Sequence, residues 1–149
     1  MKKYVLDANC YIDASRDPSA LAELTRFSIW SSPGLFLSSV VAAELRAGAT
    51  NAKARKELED GVLAPFLRRG RVLTPSGAAW DALGLTLATL RVDEGPQLSQ
   101  VKRSFALDVL LAYSCRERGA VLISSNIRDM DRIRAVFSFE FVAPYPDRS

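Results

Sequence analysis

Short apolar runs that stop at a polar residue alternate along this chain with longer stretches in which apolar residues return every three or four positions. Lys3 to Leu6 reads as a strand ending at Asp7, and Asn9 is expected to cap a following turn of helix through Ile12 and Ala14. Pro18 opens a helix through Leu21, Leu24, Phe27 and Trp30, which Pro33 and Gly34 terminate before a brief strand, Leu35 to Leu37. Ser38 or Ser39 caps a helix carrying Val40, Val41, Glu44 and Leu45, with Gly48 at its bend or end. Lys53 to Asp60 continues as an exposed charged helix, and Arg71 to Leu73 forms a third strand. A helix from about Ala78 to Arg91 precedes a break at Gly95 and Pro96, and Gln97 to Arg118 has helical length and spacing with Gly119 as its terminating glycine. Val121 to Ile123 is the next strand, Ser124 to Asn126 turns into a short helix bearing Asp129, Asp131 and Ile133, and Phe139 to Val142 closes the series as a last strand. Strands alternating with helices predict a three-layer α/β/α fold with a mostly parallel central sheet.

The length of 149 residues fits a single domain, 1–149, and no internal repeat, low-complexity tract or linker divides it. The run after Met1 is too short and charged for a secretory signal, and no uncharged apolar stretch reaches the length of a membrane span, so the expected location is cytoplasmic. Cys10 and Cys115 lack zinc-knuckle spacing and are expected to be free, buried thiols. Trp30, Phe36, Phe66 and Trp80 are expected in the core. The net charge of +3 tilts mildly toward polyanionic partners, with basic groups at Arg68, Arg69 and Arg71, at Lys102 and Arg103, and at Arg128, Arg132 and Arg134, each of which is also compatible with a plain solvated face.

The absence of histidine narrows the chemistry more than the charge does. It excludes a Ser-His-Asp triad, a Cys-His pair and an HExxH zinc site, and leaves carboxylates, lysine, hydroxyls or a hard cation such as magnesium or manganese. Three carboxylates stand in conspicuous places. Asp7 closes an apolar strand, where ligand sites of open α/β sheets lie, although capping the next helix is an equal reading. Asp108 has Ser104, Phe105, Leu111 and Ala112 as its helical neighbours, and Glu44 has Val40, Val41, Ala47 and Gly48; neither face offers a cation. Each carboxylate is therefore either met from elsewhere in the fold, as by Arg46 for Asp108, or binds a metal ion. Convergence of the three would favour the ion, because crowded like charges are unfavourable in a dry site. The segment Ser124-Ser-Asn-Ile-Arg-Asp129 follows another apolar strand and can complete the same pocket, while Asn126 as a cap and Asp129 and Asp131 near the helix N-terminus are the structural alternatives.

Four pieces in this order, Tyr4-Val-Leu-Asp-Ala-Asn9, Ala43-Glu-Leu-Arg-Ala-Gly48, Ala106-Leu-Asp108 with Ala112, and Leu122-Ile-Ser-Ser-Asn-Ile-Arg-Asp129, resemble the PIN-domain nucleases, and within them the VapC-like toxins of bacterial toxin-antitoxin pairs. The resemblance covers nearly the whole chain. It implies a metal-dependent endoribonuclease in which Asp7, Glu44 and Asp108 bind Mg2+ or Mn2+, Asp129 with Asn126 supplies a fourth position, and Asn9 and Ser124 support them. It further implies RNA as substrate, a homodimer, and a cognate antitoxin that covers the acidic groove. Lys102, Arg103 and Arg128 are the candidate contacts to the RNA backbone. The chain departs from the usual pattern at Ser124, where threonine is common, at Asn126, an aspartate in some members, and at Met130, where phenylalanine is common. A domain of the same kind that binds RNA or protein without cutting is the alternative; a phosphate-accepting receiver domain is disfavoured because the first strand is not followed by an acidic pair and no lysine follows the last strand.

Overall fold

The computed structural model describes residues 1–94 and 103–147, with the backbone alone for 92–94. In chain order the strands are β1 (Lys3–Leu6), β2 (Leu35–Ser38), β3 (Val72–Leu73), β4 (Ala120–Ile123) and β5 (Phe141–Val142). The helices are α1 (Ala8–Arg16), α2 (Pro18–Ser31), α3 (Ser39–Gly48), α4 (Ala52–Glu57), α5 (Ala64–Arg68), α6 (Gly77–Glu94), α7 (Arg103–Arg118) and α8 (Ile127–Arg134), with a π-helical turn, Leu58–Leu63, between α4 and α5. All strand pairings are parallel and the sheet order is β3-β2-β1-β4-β5, so the α/β/α layering expected from the alternation of elements is the fold.

The order places the reversal of winding between β1 and β4. From β1 the chain steps outward through β2 to β3, then returns to add β4 on the other side of β1. At such a reversal, connections leave the two neighbouring strands toward opposite faces and open a crevice at their carboxyl ends. β1 and β4 pair from Lys3↔Ala120 to Leu6↔Ile123, so the next residues, Asp7 and Ser124, emerge side by side in that crevice. The Asp7 N–H donates to the Ile123 carbonyl at 2.8 Å and extends the pairing by one bond.

The central strands bury both faces, as parallel sheets require. Val5 and Leu122 join a core with Val41, Leu63, Val109, Leu111, Ala112 and Met130, whereas Leu6 and Ile123 face a second core with Cys10 and Phe27. In the second, Tyr4, Phe27 and Trp30 meet edge to face with centroids 4.9–5.8 Å apart. Met130 is wholly buried, and its flexible thioether fills an apolar position of the core. Both cysteines are free and buried.

Several boundaries differ from the sequence reading. Asp7, rather than Asn9, caps α1, because its own extended backbone leaves the Ala8 N–H within 2.7 Å of Oδ1. The charged helix breaks into a π turn after Glu57, since Leu58, Val62 and Leu63 must turn inward onto the core. Trp80 is 58% exposed because the inward side of α6 is occupied by Ala79, Thr86 and Leu90. The last strand is shortened to Phe141–Val142, the only residues level with Leu122 and Ile123. Gly119 does terminate α7, with φ +64°. The predicted break at Gly95 and Pro96, Lys102, and the 97–102 part of the helix predicted from Gln97 lie outside the described residues. Among the described residues no helix is long and apolar enough to cross a membrane.

Gly34 opens β2 where its carbonyl accepts the Tyr4 N–H at 2.8 Å, so close to the first strand that a Cβ would collide with the Lys2 carbonyl oxygen. Gly34→Ala is expected to destabilise the fold by about 1–3 kcal/mol, the usual cost of overpacking. Urea unfolding measures it; an unchanged midpoint would show that the β1–β2 edge yields freely.

Candidate metal centre

Asp7 is set by the end of β1, and its carboxylate is gripped locally. Oδ1 accepts the Ala8 N–H, while Oδ2 accepts the Ser124 hydroxyl at 2.7 Å and Asn9 Nδ2 at 3.2 Å. The Ser124 hydroxyl in turn accepts Asn9 Nδ2 at 3.3 Å and the Asn126 N–H at 3.0 Å, so one oxygen ties the ends of β1 and β4 together. Asp7 thus both caps a helix and faces the crevice; the two readings of this residue do not compete.

Glu44 reaches the crevice from α3, which starts from β2, the strand beside β1. Asp108 reaches it from the buried second turn of α7, whose chain direction brings its first turns to the carboxyl ends of the strands. Asp7, Glu44 and Asp108 each offer one oxygen within 4.8 Å of the others. The suspected ion pair from Arg46 to Asp108 is not formed, because Arg46 turns outward to Glu59 at 2.6 and 3.2 Å. Glu44 Oε1 is buried without a hydrogen-bond partner among the described residues.

Asn126 starts α8 but its side chain makes no capping bond. Instead its Nδ2 donates to Asp108 Oδ2 at 3.2 Å and to Asp129 Oδ2 at 3.1 Å, bridging two carboxylates. Asp129 therefore belongs to the same connected group as Asp7, Glu44 and Asp108, at its half-exposed edge. Asp131, one step round the helix, pairs with Arg134 at 2.9 Å as a surface residue. Arg103 and Arg128 are exposed, and Lys102 falls outside the described residues.

The electrostatics follow from burial and crowding. Burial raises the Asp7 carboxyl above its ordinary value even against its three hydrogen bonds. Burial, and then the charge of Asp7, push Glu44 up to about 7. Burial first, followed by the charges of Asp7, Glu44 and Asp129, pushes Asp108 up to about 8 despite the Asn126 donor. Carboxylates left this unfavourable, one with an orphaned buried oxygen, form a donor set of hard oxygens that suits a divalent cation of the magnesium or manganese type.

Sequence reasoning put Asn126 in the pocket, with helix capping as the alternative, but did not anticipate its bridge between Asp108 and Asp129, nor that Arg132 bonds Asp129 at 3.4 Å while lying 4.5 Å over the Phe105 ring. The three-residue spacing of Asp129 and Arg132 was visible; the approach of α7 was not.

The family model described as the PIN domain matches residues 4–136. No curated protein sequence matches. Similar solved structures include a chain of the DNA-bound VapBC from Salmonella typhimurium, with TM-score 0.70 and 23% identity over 97% of this chain and 100% of that one. A chain of VapBC2 from Rickettsia felis bound to a promoter DNA fragment matches with TM-score 0.65 and 21% identity over 94% and 97%. A chain of FitAcB from Neisseria gonorrhoeae matches with TM-score 0.66 and 18% identity over 95% and 97%.

The raised carboxyls have a definite pH signature. Protonated forms are favoured in the folded state, so the stability they contribute is full below the unfolded carboxyl values near 4 and is lost as pH rises toward about 8. In metal-free buffer the melting temperature should fall from about pH 5 to about pH 8, and Asp108→Asn should flatten that slope. Because an ion must displace the protons, Mn2+ should raise the melting temperature more at the higher pH. Calorimetry across this range checks both; a Mn2+ effect independent of pH would contradict the coupling.

Proposed function

Because this chain belongs to the PIN-domain family, we propose that it is a metal-dependent endoribonuclease of the VapC-like toxin type, held in check by a cognate antitoxin. The observation that carries the reading is the convergence of Asp7, Glu44 and Asp108 with an unpartnered buried oxygen on Glu44. PIN domains are generally nucleases, and the structural relatives are chains of VapBC and FitAcB complexes, which supports the antitoxin as partner. A homodimer and a cytoplasmic location complete the proposal.

In this reading Asp7 and Asp108 are the residues that would hold Mg2+ or Mn2+. Such an ion, when bound, lowers the pKa of a coordinated water and stabilises charge developing on phosphate oxygens. Ser124 and Asn9 orient Asp7 through the bonds to its Oδ2, and Asn126 keeps Asp108 and Asp129 turned toward the same space. Glu44 Oε1, without another partner, helps hold the ion or accepts a hydrogen bond from the attacking water and so directs it at the phosphorus. Asp129 adds negative charge at the open edge, where water and RNA enter. Arg103 and Arg128 contact phosphates of the RNA backbone, and binding should weaken as salt rises.

Purified protein incubated with total RNA and with defined tRNA and rRNA should cleave in Mn2+ or Mg2+ and not in chelator. Asp108→Asn is expected to lower the rate by at least about a hundredfold, the scale on which metal-site partners act. If wild type and variant leave every RNA equally intact in both metals, the enzymatic proposal falls.

A further inference from the structure

The carboxylates of the crevice are linked beyond the metal-facing residues by a closed circuit between α7 and α8. Asn126, Asp129 and Arg132 lie one turn apart along α8 and share a face. Asn126 Nδ2 binds Asp108 Oδ2 and Asp129 Oδ2, and the other oxygen of Asp129 accepts the Arg132 Nη1 at 3.4 Å. The Arg132 guanidinium then lies 4.5 Å over the ring of Phe105, which sits on α7 one turn before Asp108. The path leaves α7 at Asp108 and returns to it at Phe105.

The geometry points to Arg132 as a positioning residue of the acidic site, one that clamps Asp129 between Asn126 and the Phe105 ring and thereby sets the orientation of the Asp108 carboxylate toward a bound divalent ion. This inference rests on the metal-site reading above and adds a residue to it. The neighbouring pair on the same helix shows what distinguishes Arg132. Arg134 and Asp131 have the same three-residue spacing and Arg134 also lies over an aromatic ring, Phe141 at 4.6 Å, but their side chains are 51% and 53% exposed and, among the described residues, no bond connects Asp131 to the crevice. Arg132 and Asp129 are 32% and 30% exposed, and Asp129 shares its Asn126 donor with Asp108. A flat guanidinium both stacks on a ring and aims its N–H groups in fixed directions, which a lysine ammonium does not.

Two opposite effects separate positioning from mere charge. Removing a cation from beside a carboxylate cluster strengthens the local negative potential and so tightens binding of a divalent ion. Removing a clamp loosens the carboxylates and weakens that binding. The test follows the Mn2+ concentration at the midpoint of the metal-induced rise in melting temperature, at fixed pH and ionic strength, for wild type, Arg132→Ala, Arg132→Lys, Phe105→Leu and Arg134→Ala. Arg132→Ala is expected to raise the midpoint by about tenfold, the low end of what outer partners of metal ligands contribute. Arg132→Lys and Phe105→Leu should raise it by smaller factors, the latter with no change of charge, while Arg134→Ala leaves it in place. In an Asp129→Asn background Arg132→Ala should add less than it does alone, because the charged Asp129–Arg132 bond is already lost there. A midpoint that falls or stays fixed in Arg132→Ala, or that stays at the wild-type value in both Arg132→Lys and Phe105→Leu, overturns the assignment while leaving the metal site intact. Absence of any Mn2+ response in wild type instead removes the metal-site reading itself, and this inference with it.

Discussion

Three carboxylates held within 4.8 Å of one another in a largely buried crevice repel, and nothing among the described side chains neutralises them. Burial removes the water that would screen the charges and raises all three carboxyls, and proximity to the other carboxylates raises Glu44 and Asp108 further, to about 7 and about 8. Natural folds keep such an arrangement where a cation is meant to enter, since a hydrophobic replacement would otherwise stabilise the fold better. The surrounding structure is best understood as what keeps these groups from swinging apart.

Restraint comes from elements that are themselves firmly packed. The parallel pairing of β1 with β4 fixes Asp7 beside Ser124 to within one hydrogen-bond register, and α7 is buried on nearly every side, so Asp108 has little freedom to escape to solvent. Polar side chains then set orientation: the Ser124 hydroxyl receives and donates around Asp7, and Asn126 spends both its amide hydrogens on Asp108 and Asp129. Such outer contacts hold carboxylates in place at low cost because every donor finds an acceptor. A divalent cation approaching the crevice would meet a prearranged negative pocket.

Local pattern made most of the architecture readable. The alternation of short apolar runs with amphipathic stretches was enough for the parallel α/β/α sheet, and at β1 and β2 the strand ends at the residue that caps the next helix, Asp7 for α1 and Ser38 for α3. The misread places are those in which a distant element overrode a local preference. Leu58 and Leu63 had to reach the core, so the charged helix gave way to a π turn after Glu57, and Trp80 stayed exposed because Ala79, Thr86 and Leu90 fill the inward side of α6.

The sequence by itself narrowed the available chemistry: without histidine, and with its two cysteines lacking metal-site spacing, the chain is left with carboxylates, lysine and hydroxyls, and the isolated acidic positions inside apolar helices marked Glu44 and Asp108 as residues that burial alone could not account for. Tertiary structure decided that these residues meet. Contact between Asp7, Glu44 and Asp108 depends on the strand order that puts β4 next to β1 and on the return of α7 across the sheet, and no local spacing encodes that order. The orientation of Arg132 toward Phe105 and Asp129 was likewise decided only by the packing of α8 on α7, because side chains from two helices share a contact only once both are docked.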